Sequence, residues 1–228
     1  MYGYNKKELL DFISGVLSDC EASIGKIAER GYNLPGYLGQ GISRTALSFS
    51  EYPNIVFKVC VGEDAEICNY AGETEVSRWR SAVEEDLAPY FAQTEYLGEV
   101  TLYCDEWVEP SEDDYGHYEI DYAHTYPVPV YIQAKVDYTW CDSEEWGRLR
   151  GKRKTALLRE QKLYETTDWY NLCDVADDKL FCALFIRKYG LDEYERLCEF
   201  IADCEIEDLH SANWGIKDGD LVIIDYAM

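Results

Sequence analysis

Positive charge is what this sequence has least of. Its 228 residues carry 45 aspartates and glutamates against 21 lysines and arginines, a formal net charge of −24. A surface of that sign repels phosphate backbones, so no direct nucleic-acid partner is expected. The excess has two further readings. It is a surface that imitates nucleic acid and occupies a basic partner, or it is charge that keeps the chain soluble, and the second is the simpler. Long apolar runs are lacking too. None approaches the roughly 18 residues that a spanning helix needs, which predicts no membrane partner. The first residues, Met1-Tyr2-Gly3-Tyr4-Asn5-Lys6-Lys7-Glu8, do not have the basic-then-apolar layout of a secretory signal. Paired cysteines are missing as well: the nine form an odd set without any C-x-x-C. Cys60, Cys182 and Cys198 sit within apolar stretches, where a free thiol behaves as a small hydrophobe. Neither a disulfide scaffold nor a zinc site is expected, and a reducing cytoplasm fits best. His117 and His124 add no metal-ligand pattern.

What is present argues for a folded globule. The sequence is 47% hydrophobic and 14% aromatic, enough for one substantial core or two small lobes. Residues 6–29 read as one or two helices, with Asn5 as N-cap and an apolar stripe of Leu9, Leu10, Phe12, Ile13, Val16 and Leu17. Gly31, Pro35 and Gly36 end that region, leaving residues 1–36 as a helical cap without chemistry of its own.

Chemistry-bearing patterns follow in order. Gly39 and Gly41 stand one residue apart ahead of a turn and a strand, and Asn54-Ile55-Val56-Phe57-Lys58-Val59 is a second strand carrying a lysine. Glu66 to Ala82 reads as a helix, with Glu75, four residues before the core-facing Trp79, preferred over Glu73 as its functional carboxylate. Phe91 to Val108 reads as two strands joined at Tyr96-Leu97-Gly98-Glu99. A helix from Asp192 to Cys204, with Tyr194, Leu197, Phe200 and Ile201 apolar, leads into Glu207-Asp208-Leu209-His210-Ser211-Ala212-Asn213. Lys217-Asp218-Gly219-Asp220 is a hairpin turn, and Leu221-Val222-Ile223-Ile224 is an apolar strand ending at Asp225.

This order, from about Leu38 to Asp225, resembles the protein-kinase-like superfamily. The Asp-Leu-His-Ser-Ala-Asn string is nearest to aminoglycoside and choline kinases and to small phage and bacterial kinase-like proteins. The resemblance implies a two-lobed α+β fold with an antiparallel N-lobe sheet and an abbreviated helical C-lobe. It implies three segments: a cap over 1–36, an N-lobe over 37–108, and a C-lobe over 109–228 with an acidic, tyrosine-rich insertion. ATP and magnesium are the implied cofactors. Gly39 and Gly41 would let the backbone approach the phosphates, Lys58 would hold them, and Glu75 would hold Lys58. Glu106 and Val108 would meet the adenine. Asn213 and Asp225 would bind magnesium, and Asp208 would accept the proton of the attacking hydroxyl. His210 would pack beneath the loop in a structural role.

Several positions depart from the family pattern. Ile206-Glu207-Asp208 replaces His-Arg-Asp, so no arginine awaits a phosphorylated activation loop. Arg44 stands where a third glycine would fall, and Tyr226-Ala227 replaces Phe-Gly. The chain stops three residues after Asp225, without an activation segment or Ala-Pro-Glu. A substrate platform is then sought in residues 109–175. There Tyr115, Tyr118, Tyr122 and Tyr126 recur at helix-like intervals until Pro127 and Pro129, and Val128, Val130, Tyr131 and Ile132 read as a strand. The tyrosines form a binding face or, the preferred reading, one packed side of an insertion. A helix over 144–166 carries Arg148, Arg150, Lys152, Arg153 and Lys154, either a docking cluster or, more simply, a solvated face.

The resulting expectation is an ATP- and magnesium-dependent phosphotransferase acting on a hydroxyl of a protein or small molecule. Two rivals stand beside it. One is a catalytically silent, acidic kinase-fold protein, of the phage-inhibitor or nucleic-acid-mimic kind, that blocks a basic protein partner. The other transfers AMP from a flipped ATP.

Overall fold

In the computed structural model the chain is described at residues 3–20, 22–23, 27, 34–41, 43–60, 65–103, 125–139, 176–206, 209 and 211–227. The helix expected over 144–166, its basic cluster, and Tyr115, Tyr118 and Tyr122 lie outside these residues. The class is α+β, with a five-stranded and a three-stranded sheet, both antiparallel. The chain divides into two units, Met1–Glu73 with Thr94–Ala134 and Thr74–Gln93 with Lys135–Met228.

In the first unit, α1 (Lys6–Asp19) starts where the Asn5 side chain accepts from the Lys7 amide at 3.0 Å. Leu9, Ile13 and Leu17, spaced one turn apart, are its buried face. The strands β1 (Tyr37–Gln40), β2 (Arg44–Leu47), β3 (Ile55–Cys60), β4 (Thr94–Tyr103) and β5 (Thr125–Ala134) lie in the order β1-β2-β3-β5-β4. Alternation along β3 assigns the two faces of the sheet. Ile55, Phe57 and Val59 are buried on the face that α1 covers, where the Phe12 ring lies 6.0 Å from that of Phe57 and 5.0 Å from that of Phe49. Lys58 points to the other face. Cross-strand register puts Ala46, Lys58, Tyr131 and Tyr96 in one row there.

That second face receives the start of α2 (Ala65–Glu84). The buried Tyr131 hydroxyl donates to Asn69 Oδ1 at 2.7 Å, and a methyl placed on Gly72 would lie 2.1 Å from the Tyr131 ring. Only hydrogen on the helix allows that approach.

Two local expectations are corrected. Phe91 to Val108 is not a pair of strands joined at residues 96–99: one ten-residue strand, β4, runs through the supposed connection. Its register shifts between Tyr96 and Gly98, a bulge in place of a turn, and Leu97, Val100 and Leu102 remain buried. Tyr126, Pro127 and Pro129 belong to β5, not to the end of a helix. Among the described residues β3 pairs with β5 only as far as Val130, so both prolines sit where β4 is the one neighbour. A proline is tolerated in a strand at such a place. Because β5 enters between β3 and β4, the sheet unit reaches beyond the boundary at residue 108.

The second unit places α3 (Ala176–Tyr189) and α4 (Leu191–Asp203) with a sheet of β6 (Tyr138–Thr139), β7 (Trp214–Lys217) and β8 (Asp220–Ile223). Gly190, at φ 98°, separates the two helices. Phe185, Tyr194, Leu197, Ile201, Trp214, Ile223 and Tyr226 share one core with Leu87 and Phe91. Asp218 and Gly219, at φ 52° and 84°, are the central pair of the β7–β8 turn. Two successive left-handed residues give the twist that a two-residue hairpin requires.

Gly72→Ala tests the contact with Tyr131. Overpacking of about 1–3 kcal/mol outweighs the roughly 1 kcal/mol of helix propensity gained. The urea midpoint is therefore expected to fall, and a raised midpoint would show that the contact does not constrain the helix.

Candidate functional site

The hairpin builds the centre of the site. Trp214 pairs with Ile223 and Lys217 with Asp220, so the residues flanking the strands, Asn213 before β7 and Ile224-Asp225 after β8, meet at its open end. There the Ile224 amide donates to the Asn213 carbonyl at 2.9 Å. Asn213 closes a short 3-10 turn (Ser211–Asn213) and is 8% exposed, and Asp225 is half-buried. Asn213 and Asp225 thus flank the two strands at the same end of the hairpin, and carboxamide and carboxylate oxygens are the hard donors that suit a divalent cation such as magnesium.

Asp225 is fixed from both sides. Tyr226 is fully buried, its hydroxyl donates to the Ala92 carbonyl at 2.7 Å, and its ring stands edge-on to Phe91 at 5.4 Å. The Ala92 amide returns a bond to the Ile223 carbonyl at 2.8 Å. A phenylalanine would pack here without that anchor, which gives Tyr226 its local reason. The guanidinium of Arg78 on α2 donates to the Tyr226 carbonyl and, at 2.9 Å, to the Glu205 carbonyl.

The turn end of the hairpin is clamped by α3. Asp220 accepts from Tyr189 at 2.9 Å and pairs with Lys188 at 2.8 Å. The Leu221 amide donates to the Tyr189 hydroxyl at 3.2 Å, and Lys188 also donates to the Gly219 carbonyl. Hydrogen bonding from Lys188 holds the Asp220 carboxyl below its ordinary value, and burial raises the Tyr189 phenol.

The first unit holds Gly39, Gly41 and Lys58, and the second holds Glu75, Asn213 and Asp225. In the β1–β2 hairpin the Gly41 amide donates to the Arg44 carbonyl at 2.9 Å, and a methyl on Gly39 would meet open space. Lys58 is 8% exposed. Of the two glutamates weighed on α2, Glu75 lies on the buried side with Ala71, Gly72 and Ala82, at 0% exposure. Glu73 is exposed and accepts from Asn69 at 3.1 Å. Glu106, Val108, Asp208 and His210 lie outside the described residues. Sequence reasoning missed Arg78, Lys188 and Tyr189, because a basic residue and a tyrosine on helices carry no spacing signal of their own.

Compared with protein-family models, with curated proteins and with solved structures, the chain matches none. Among the described residues no group of three or more histidines, cysteines, aspartates or glutamates is arranged to hold a metal. Among them, too, no helix is long and apolar enough to cross a membrane.

Tyr226→Phe removes the hydrogen bond from the buried hydroxyl to the Ala92 carbonyl and is expected to cost about 1 kcal/mol in urea unfolding. An unchanged free energy would remove the anchor. Asp220 adds a pH dependence. Its folded value is lowered, so its contribution is present above the ordinary value of 3.8 and is lost as pH falls through the lower, folded one. Wild type and Asp220→Asn should differ in melting temperature at neutral pH and converge below that value. A gap independent of pH would rule out the clamp's charge.

Proposed function

We propose that this chain is an ATP- and magnesium-dependent phosphotransferase of two-lobed, protein-kinase-like architecture, transferring the γ-phosphoryl group to a hydroxyl of a protein or small molecule. The observation that carries the reading is the backbone bond that joins Asn213 to Ile224, the residue before Asp225, at the open end of a hairpin that follows in sequence on Asp208. Three features support it. A lysine is buried on the third strand of an antiparallel sheet, the helix after that strand carries a buried glutamate, and a helix runs into the Asp208 segment. Buried charges persist only where partners compensate them, which suits a lysine–carboxylate pair better than a solvated surface.

The roles follow from chemistry. Lys58 orients the phosphates and Glu75 holds Lys58. Asn213 and Asp225 hold magnesium, which when bound neutralises charge on the transferring group. Asp208 takes the hydroxyl proton as the new oxygen–phosphorus bond forms and the bond to the β-phosphate oxygen breaks, releasing ADP. Gly39 and Gly41 let the backbone close over the phosphates. Glu106 and Val108 would meet the adenine.

The net charge of −24 favours a second reading, a silent acidic protein that docks on a basic partner. A thermal-shift titration separates the two. Ligand at a hundredfold excess over its Kd stabilises a protein by about 2.7 kcal/mol. ATP with magnesium should raise the melting temperature of the wild type and not of Asp225→Ala, and Lys58→Ala should abolish transfer of γ-labelled phosphate. A wild type indifferent to ATP and magnesium would turn the reading to the acidic binding protein.

A further inference from the structure

Arg78 lies on α2 three residues after Glu75, one turn further along the same helix. Its two terminal nitrogens donate to two backbone carbonyls, Nη1 to Tyr226 and Nη2 to Glu205 at 2.9 Å. These carbonyls bracket the candidate site along the chain. Glu205 stands just past the end of α4 and three residues before Asp208, and Tyr226 immediately follows Asp225. Glu205 has left the helical path, at φ 51°, while its own amide still bonds back to Ala202 at 3.1 Å. Its carbonyl is therefore directed away from the helix ladder, to the guanidinium.

The fork of a guanidinium is planar and rigid, so two acceptors on one fork are held at a set separation, which a lysine does not impose. Two further ties act at one end each. Tyr226 is tied through Ala92, and the Ile206 amide returns to Ile201 at 3.0 Å. Arg78 alone among these spans both ends. The loop contributes no arginine of its own, since Ile206-Glu207-Asp208 carries none. The charge is felt locally as well: burial raises the Cys204 thiol, and Arg78 opposes the rise.

We propose that Arg78 is a positioning residue: its fork ties the backbone ahead of Asp208 to the backbone behind Asp225, so that one turn of α2 sets both acidic ends of the site. What those ends do rests on the phosphotransferase reading, and the tie itself does not. Because Glu75 and Arg78 share that turn, a displacement of α2 moves the glutamate and the two acidic ends together.

Hydrogen exchange on the full chain, without nucleotide, tests the tie in wild type, Arg78→Lys and Arg78→Gln. Amides in 204–206 and 224–227 are expected to exchange about tenfold faster in both variants, with residues 215–222 of the hairpin at wild-type rates. Unchanged exchange at either end, or uniform loosening that includes 191–203 and 215–222, overturns the proposal. Magnesium titration of the ATP-induced thermal shift tests the positioning role. Arg78→Lys should need about tenfold more magnesium for half its shift, as for other groups that orient metal ligands. A wild type without any shift sinks the phosphotransferase reading, and the positioning role with it. A normal wild type with an identical magnesium midpoint in Arg78→Lys sinks this inference alone.

Discussion

One backbone hydrogen bond, from the Ile224 amide to the Asn213 carbonyl, closes the open end of the β7–β8 hairpin, and the candidate site depends on it. It works only in one register. A slip by one residue would turn Trp214, Leu221 and Ile223 out of the core, and side chains of that size contribute about 1.5–3 kcal/mol each when buried. The two left-handed turn residues, Asp218 and Gly219, select the same register from the far end. Core burial and turn chemistry therefore agree, and their agreement sets Asn213 opposite Ile224, the residue before Asp225.

Around that hairpin several polar ties are directed at backbone groups. Tyr226 reaches Ala92, Arg78 reaches Tyr226 and Glu205, Lys188 reaches Gly219, and the Asp218 amide reaches Asp137 at 2.9 Å. Ties to backbone fix where a segment runs while leaving its side chains free for chemistry. Exposed ion pairs such as Lys7–Asp11 contribute little by comparison, because water screens them and ordering two long side chains costs entropy.

The first unit solves a different problem, that of placing a lysine on a sheet whose faces are both covered. Strand alternation gives α1 the apolar face of β3 and leaves Lys58 in the row with Tyr131, under the start of α2. Gly72 makes the close approach of helix to ring possible, and Asn69 satisfies the phenol that burial would otherwise leave without a bond.

Local chemistry made some elements legible. Asn5 caps α1, Asp218-Gly219 turns the hairpin, β3 is a short apolar run carrying one lysine, and α4 buries Tyr194, Leu197 and Ile201 at helical spacing. In each case a short-range rule and the core demand the same structure. Where only partners decide, the residues were silent. Tyr96-Leu97-Gly98-Glu99 has the composition of a turn and of a bulge alike, and pairing with β5 is what keeps β4 continuous. Pro127 and Pro129 argue against a strand until the sheet is seen to leave one side of β5 without a partner strand at those positions. Spacing to Trp79 favours Glu75 over Glu73 only weakly, and burial separates them. Arg78 is an ordinary helix arginine until the chain brings Glu205 and Tyr226 to it from 127 and 148 residues away. The sequence by itself determined the local elements and the order of the acidic, amide and lysine positions along the chain, since caps, turns and alternation act within a few residues. Only the tertiary structure decided which strand enters the middle of the sheet, which glutamate is buried and which arginine ties the loop, because those outcomes belong to groups that meet only when the chain has folded.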